Sequence, residues 1–595
     1  MTCMNITTQH MHVPSLEMDS SGSISQVKPT DGVTTTVHVL TGMSVEVPYG
    51  PEQKSWTEIL SPIAKSQYGR LLVSPPSRDP LSLYSFEQES VTSVWYQVPS
   101  TALSENQRTR ALAETARAAE VSARDTVGFQ ANFREFSHTE CVKDFLGTHL
   151  NNGGNPFGTS YDGLATLWME RNVLDYYASL WNAKWPHDVK DPKSYWGYTL
   201  TMGSTEGNFY AVWNARDYLS GKYTSGGSEE SKCSLSNYLY EQCICPDDNP
   251  NAFSPVVFYS HETHYSVMKA AEAMMVPTFY EKGIQMYPKE CPLNTDWPLA
   301  VPCVDGDAGP GTIDIEALKT LVDFFSAKGH PIIVIFNYGT TFKGAYDDVK
   351  AAGEALIPIL KKNGMYERKH YLNDSTDPNA CTTRKGFWFH VDGALGAAYA
   401  PFLRMAYENG LTELKPPPIF SFELDFVSSI VTSGHKWIGA PWPCGIYISK
   451  TEFQLRPHEK AQISYFDSPD LTLTGGRNAH SALVLWSYIS TYSYEEQARK
   501  AIQALETAIY AEKKLKELEI YTKQDLRVMH SPSSLAVCFK RPNEKILRKF
   551  CLSGQWLLID GVWCQYVHIY TMDGVTRSKI DELIELLRKP EAFTS

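Results

Sequence analysis

The stretch 428-SSIVTSGHKWIGAPWPCGIYIS-449 sets Lys436 between two apolar runs, directly after Ser433, Gly434 and His435. An unpaired ammonium in a protein interior is costly. Lys436 must therefore lie on a surface turn, meet a partner, or lose its charge through covalent chemistry. Asp392, in 389-FHVDGALGAAYAPF-402, ends another apolar run and precedes small residues. An ionised carboxylate there needs a cationic partner. In 201-TMGSTEGNFYAVWNARDYL-219, Gly203, Ser204 and Thr205 stand just before a helical pattern. Backbone N–H groups, two hydroxyls and the helix dipole favour a phosphate at such a place, and the same letters also serve as an ordinary N-cap. His261 and His264, in 258-FYSHETHYSVMKAA-271, close an apolar run before a further helix, where capping or core histidines also occur.

A phosphate cup, a ring to stack on, a buried carboxylate and a lysine together meet the needs of pyridoxal phosphate. Its aldehyde forms a Schiff base with a lysine, its pyridine nitrogen needs a carboxylate to stay protonated, and its phosphate needs an anion site. A Schiff base would also explain how Lys436 enters an apolar layer.

The elements that position these residues follow from periodicity. Apolar or β-branched runs at 255–260, 331–339, 387–394 and 426–434 predict strands, and the patterns at 265–274 and 315–329 predict helices between them. Continuous apolar strands alternating with helices predict an α/β fold with a mainly parallel sheet covered on both faces. Upstream, 103–125 and 163–182 predict helices, the first with a capping-box spacing from Ser104 to Gln107. Downstream, a helix over 493–520, strands at 534–542 and 566–572 and a helix over 577–589 predict a small C-terminal α+β domain. The expected division is a partly irregular extension over 1–100, a helical segment over 101–160, a large domain over 161–485 and a small one over 486–595. Stretches 221–253, 284–311 and 366–386, rich in Ser, Pro, Asn, Asp and Cys, predict surface insertions.

With 595 residues, 43% hydrophobic and 20% charged, the chain has the composition of a soluble globular protein. A net charge of −13 without a basic block argues against nucleic acid as partner. No run of 18 apolar residues occurs and the start lacks a signal-peptide pattern, so no membrane partner and a cytoplasmic location are expected. The 12 cysteines read as reduced thiols. Cys233, Cys243 and Cys245 lack the spacing of a zinc site, and no metal is expected. The sequons at Asn5 and Asn373 are expected to be chance matches.

The segments TMGSTEGN, FYSHETHYSVMKAA, NYGTTFKGAYDDV (337–349), FHVDGALGAAYAPF, TSGHKWIGAPWPCGI and LTGGRNAH (473–480) resemble, in order, those of the pyridoxal-phosphate-dependent group II amino-acid decarboxylases. They are most similar to the branch of histidine decarboxylases and plant serine decarboxylases, as is HLNNGGNPF at 149–157. The resemblance covers roughly 145–590 and implies the fold type I architecture of aspartate aminotransferase. It implies that Lys436 carries the cofactor, that Ser433, His435, Gly203, Ser204 and Thr205 surround its phosphate, and that His264 and Ala394 flank its ring. By the same resemblance Asp392 pairs with the ring nitrogen and Thr341 lies near the ring. Gly475 and Gly476 would reach the neighbouring subunit's phosphate in a homodimer, and Tyr465, in 463-ISYFDSP-469, is a candidate proton donor. Ser204 departs from the usual Gly of that branch, and LTGGRNAH from the commoner TGSRNGH.

The implied activity is decarboxylation of an L-amino acid to an amine and CO₂. An aldehyde synthase, a carbon–carbon lyase and a non-catalytic pyridoxal-binding scaffold are the alternatives. Phe157, Tyr161, Tyr338 and Trp442 suggest an aromatic or imidazole side chain on the substrate, and each also suits a core.

Overall fold

The computed structural model describes residues 34–38, 44–48, 102–133, 142–158, 165–224, 240–373, 377, 379–455 and 470–594. Two compact units, Met1–Ala119 and Glu120–Ser595, make up the chain. In the first, Thr34–His38 pairs antiparallel with Ser44–Pro48, a hairpin where the sequence pattern predicts irregular chain. Helix Glu105–Asp125 begins with the expected capping box: Ser104 N–H donates to Gln107 Oε1 at 3.0 Å and Gln107 N–H to Ser104 Oγ at 3.4 Å.

The second unit is built on a six-stranded sheet. Its strands are β1 (Tyr195–Leu200), β2 (Val256–Phe258), β3 (Ile332–Asn337), β4 (Phe387–Asp392), β5 (Val427–Ser433) and β6 (Gly445–Lys450). The spatial order is β1-β6-β5-β4-β3-β2. The pairs β2–β3, β3–β4 and β4–β5 are parallel, and β6 runs antiparallel to both of its neighbours. Five strands therefore point one way, and their carboxyl ends share one edge, where α/β sheets bind ligands. Every residue of β1 to β5 is buried, which is why these strands read as continuous apolar runs without alternation.

Two strands escape the sequence pattern. In β1 the run YWGYTL mixes aromatics with Gly197, and β6 follows Gly and Pro closely enough to look like a loop. Both are fixed by pairing, six register pairs joining them to each other. Helices α1 (Leu167–Leu180), α2 (Ser204–Leu219) and α3 (Tyr265–Ala273) lie close to the periodicities that predict them.

The expected insertions differ among themselves. Within 221–253 and 366–386 the described residues form hairpins, Lys222–Thr224 with Tyr240–Gln242 and Arg368–Tyr371 with Cys381–Arg384. The stretch 284–311 is not confined to the surface, which corrects the expectation. Trp297 packs its ring 5.6 Å from both Phe324 and Phe325, and Val301 is fully buried in the main core. No helix among the described residues is long and apolar enough to cross a membrane.

Near the C-terminus, β7 (Ala536–Lys540), β8 (Ser553–Ile559) and β9 (Val562–Tyr570) form an antiparallel sheet in the order β7-β9-β8. A second core that includes Leu515, Leu526, Val567 and Ile580 joins it to helices Tyr494–Thr522 and Arg577–Leu587. This sheet holds the turn after β3. Tyr570 Oη donates to Thr340 O at 2.7 Å, His568 Nδ1 to Phe342 O at 2.9 Å and Ser534 Oγ to Lys343 O at 3.0 Å. Gln130 Nε2 donates to the remaining carbonyl, Thr341 O, at 2.9 Å.

Burial pushes His568 down to about 4. A histidine with a lower pKa folded than unfolded takes up its proton first in the unfolded chain, so its contribution is complete above about pH 6.5 and is lost as pH falls towards 4. We expect the stability difference between wild type and His568→Gln, read from urea unfolding, to shrink by up to about 1.4 kcal/mol per pH unit between pH 6.5 and 4.5. A pH-independent difference would show that His568 does not stay neutral.

Candidate functional site

The turn from β1 into α2 settles the first of the ambiguous motifs. Gly203, not Ser204 or Thr205, is the N-cap of α2, and no side chain caps it, so the two hydroxyls are not used as caps. Gly203 has φ of +67°, and an added Cβ would lie 2.4 Å from His435 Cε1. Only glycine lets this turn approach the residue before Lys436. Across the gap, Ser204 N–H donates to Ser433 Oγ at 3.1 Å, and Ser433 Oγ donates to Ser204 Oγ at 2.8 Å. The start of α2 and the end of β5 thus bring two hydroxyls and a helix N-terminus together, an arrangement that could hold a phosphate.

Beyond β5 the chain turns sharply. Gly434 N–H donates to Cys444 O at 2.7 Å, and Cys444 N–H donates to His435 Nδ1 at 3.4 Å. Lys436 is half-buried, and its Nζ has no hydrogen bond or ion pair among the described residues. Burial pushes its ammonium below the usual lysine range, with the charge of Asp392 working the other way. Burial likewise lowers His435, with Lys436 adding to the effect.

Asp392 ends β4 and is 6% exposed. Its Oδ2 accepts from Asn208 Nδ2 at 2.8 Å and its Oδ1 from Ala394 N–H at 3.2 Å. Neither donor carries a charge, so the expected cation is not among the hydrogen-bond partners of this carboxylate. His264 is the N-cap of α3, its Nδ1 accepting from Ser266 N–H at 3.3 Å, so the capping reading holds. Its pKa is lowered by burial and opposed by the charge of Asp392, so the functional reading is not displaced. Ala394 is half-buried, its carbonyl accepting from Ser433 N–H at 3.0 Å, while Thr341 is exposed on the turn clamped from below.

The remaining expected residues lie elsewhere. Gly475 and Gly476 are exposed. Gly476–Asn478 pairs with Asn151–Gly153, joining LTGGRNAH to HLNNGGNPF as a ladder. Gly476 lines a cleft of about 670 Å³ with residues that include His149, Asn151 and His480, and none of the residues around Lys436 lines it. The ladder is anchored by Arg477 and Glu170, both with side chains 0% exposed, at 2.8 Å. Tyr465 and Tyr161 lie outside the described residues, as do Asn5 and Cys233.

The three described aromatic residues offered for a flat substrate have other partners. Phe157 stacks on His187 at 4.0 Å, Tyr338 Oη donates to Pro418 O at 2.6 Å, and Trp442 Nε1 donates to Ser481 Oγ at 3.1 Å. Among the described residues no group of three or more His, Cys, Asp or Glu could hold a metal.

Sequence reasoning passes over Asn208, Ser266, His390 and the Glu170–Arg477 pair. A signal existed for His390: it stands two residues before Asp392 in a strand, so both side chains face the same side of the sheet. For Asn208, a polar residue one turn into a buried helix, the sequence carries no comparable mark.

A family model for the pyridoxal-dependent decarboxylase conserved domain matches residues 128–541. Histidine decarboxylase of Solanum lycopersicum is 29% identical over 474 residues, covering 78% of this chain and 85% of that protein. Serine decarboxylase 3 of Oryza sativa subsp. japonica is 27% identical over 471 residues, covering 79% of each. Among solved structures, L-methionine decarboxylase from Streptomyces sp. 590 superposes with a TM-score of 0.77 at 41% identity, covering 84% of this chain and 97% of that one.

Removing one partner of a fully buried ion pair leaves a charge uncompensated. Arg477→Met should therefore lower stability by about 3–5 kcal/mol, read from urea unfolding, and loosen the ladder that carries Gly476. A loss of under about 1 kcal/mol would mean that solvent reaches Glu170.

Proposed function

The chain belongs to the pyridoxal-dependent decarboxylase family, whose cofactor is pyridoxal phosphate, and from that premise we propose how its residues are deployed. The reading is a cytoplasmic homodimer that converts an L-amino acid to its amine and CO₂. Bound pyridoxal phosphate supplies the electron sink on which the bond to the α-carboxylate breaks.

The residues fit that group. The α2 N-terminus, Ser204, Thr205, Ser433 and His435 would hold the phosphate, in a cradle that a Cβ at Gly203 would fill. Lys436 would hold the aldehyde carbon. Burial lowers its pKa, which makes the neutral, nucleophilic amine easier to reach. Asp392 would keep the ring nitrogen protonated and so acquire the positive partner that its described hydrogen bonds lack. His264 and Ala394 would flank the ring, with Thr341 at its edge. The observation that carries the reading is this convergence of three loops, after β1, β4 and β5, on one lysine whose Nζ has no hydrogen bond or ion pair among the described residues.

Return of a proton to the α-carbon falls to Tyr465 in this reading. The exposure of Gly475 and Gly476, the latter lining a cleft that no residue around Lys436 lines, supports a role in a second subunit's site and hence the homodimer. The nine free thiols among the described residues suit a reducing compartment. For the side chain of the substrate, the 41% identity to L-methionine decarboxylase, against 27–29% to the histidine and serine enzymes, favours an unbranched thioether over the aromatic or imidazole group that Phe157, Tyr161, Tyr338 and Trp442 suggested. Of the aromatic residues behind that suggestion, Phe157, Tyr338 and Trp442 are engaged with other partners.

A screen of L-amino acids for CO₂ release should give turnover on L-methionine above that on L-histidine, L-serine and L-DOPA. Borohydride treatment of the loaded protein should fix the cofactor to the peptide containing TSGHKW, and Lys436→Ala should lower kcat at least several-hundredfold. Aldehyde and ammonia in place of amine and CO₂, or a label on Lys343, would overturn the reading.

Assembly is tested separately. Sedimentation at assay concentration should give a dimer of about 134 kDa, twice the 66.9 kDa chain. An active monomer would remove the role given to Gly475 and Gly476.

A further inference from the structure

We propose that Asn208 and His390 are positioning residues that hold Asp392 and His264 together in one hydrogen-bonded chain, so that a single amide sets the group at the ring nitrogen and the group at the ring face. The proposal rests on the roles given to Asp392 and His264 above and adds what governs them.

The chain is continuous. Trp388 Nε1 donates to Ser429 Oγ at 3.0 Å, and Ser429 Oγ lies 2.8 Å from His390 Nδ1. His390 Nε2 lies 3.0 Å from Asn208 Oδ1. Asn208 Nδ2 donates both to Asp392 Oδ2 at 2.8 Å and to Ser266 Oγ at 2.9 Å, and Ser266 Oγ lies 2.8 Å from His264 Nδ1. Trp388, Asn208, Ser266, His390, Asp392 and Ser429 are all buried, so water does not stand in for a missing partner.

Chemistry fixes the direction of every bond. An ionised Asp392 only accepts, so the amide must turn its NH₂ towards it. Asn208 Oδ1 then faces His390 and needs a donor, which places the His390 proton on Nε2. His390 Nδ1 must accept, and the Ser429 hydroxyl is free to donate because the indole N–H of Trp388 already occupies it as acceptor. At the other end Ser266 accepts from Asn208 and donates to His264 Nδ1, leaving the His264 proton on Nε2. Burial holds His390 at about 4, which agrees with a neutral ring carrying one proton. Turning the amide over would set two acceptors, Asn208 Oδ1 and Asp392 Oδ2, against each other in a dry site.

Each end keeps one further hydrogen bond, Asp392 from Ala394 N–H and His264 from Ser266 N–H, whereas loss of the His390 donor releases one side of the Asn208 amide and disturbs both branches together. The effects of Asn208 and His390 should therefore not add.

The test uses full-length protein and free pyridoxal phosphate. Asn208→Leu, His390→Leu, the double variant, His390→Gln and Asp392→Asn are compared by cofactor dissociation constant, by the visible spectrum of the loaded protein, and by kcat and KM. Asn208→Leu and His390→Leu should each weaken cofactor binding about tenfold and shift the visible band as Asp392→Asn does. They should lower kcat more than they raise KM, and the double variant should be no worse than either single one. His390→Gln, which retains a donor towards Asn208, should bind the cofactor within about threefold of wild type. If the leucine variants fail to fold, Asn208→Ala and His390→Ala make the same comparison without added bulk. Wild-type affinity and spectrum in the Asn208 and His390 variants, beside a damaged Asp392→Asn, would overturn the chain and leave the role of Asp392 standing. Additive losses, or a glutamine variant as damaged as the leucine one, would also overturn it. An unaffected Asp392→Asn would instead overturn the reading on which the proposal rests.

Discussion

A carboxylate at the end of a dry strand must be supplied with donors, and at Asp392 that requirement fixes much of what surrounds it. Besides Ala394 N–H, the donor is the side chain of Asn208, in the second turn of α2. Its reach sets how closely α2 lies on the sheet. Gly207, beside it, approaches β5 so nearly that an added Cβ would sit 2.2 Å from Val431 Cγ2. Because α2 begins beside Ser433, the same close approach also sets where the hydroxyls of Ser204 and Ser433 meet.

The parallel arrangement does the rest. One strand direction delivers the turn after β1, the end of β4 and the turn after β5 to a single edge. No one of these turns makes a site alone. The hydroxyl pair Ser204 and Ser433 exists only because residues 229 positions apart are returned to the same place. Lys436 therefore lies between apolar runs without being in the core: it leaves β5 at the open edge of the sheet.

How far the sequence discloses this depends on how each feature is stabilised. Strands β2 to β5 were legible because burial on both faces makes them continuously apolar. Strand β1 was not, because YWGYTL owes its conformation to pairing with β6 rather than to its own composition. Lys436, Asp392 and Ser433 were legible because polar residues at the ends of apolar runs require a reason. Asn208 and Arg477 were hidden, since a buried amide or guanidinium is recognised only by the partner it meets, and their partners are 184 and 307 residues away. The Ser204–Thr205 hydroxyls lay between: the letters allow a cap or a cup, and only the position of the N-cap at Gly203 shows that neither hydroxyl is the cap.

The four clamped carbonyls after β3 bear on the order in which the protein is made. Thr340 and Phe342 are held by Tyr570 and His568, separated from them by 230 and 226 residues of chain. Synthesis proceeds from the N-terminus, and contacts of such separation close slowly. All six strands of the large sheet have left the ribosome before β9 exists. The nascent chain can thus assemble the sheet and the turns around Lys436 while three of the four carbonyls still lack their partners, Gln130 alone having been made earlier. The edge that bears Lys436 is supported late, by residues 534–570, and a chain released before them would carry every residue discussed around Lys436 without three of the four hydrogen bonds that hold the turn bearing Thr341.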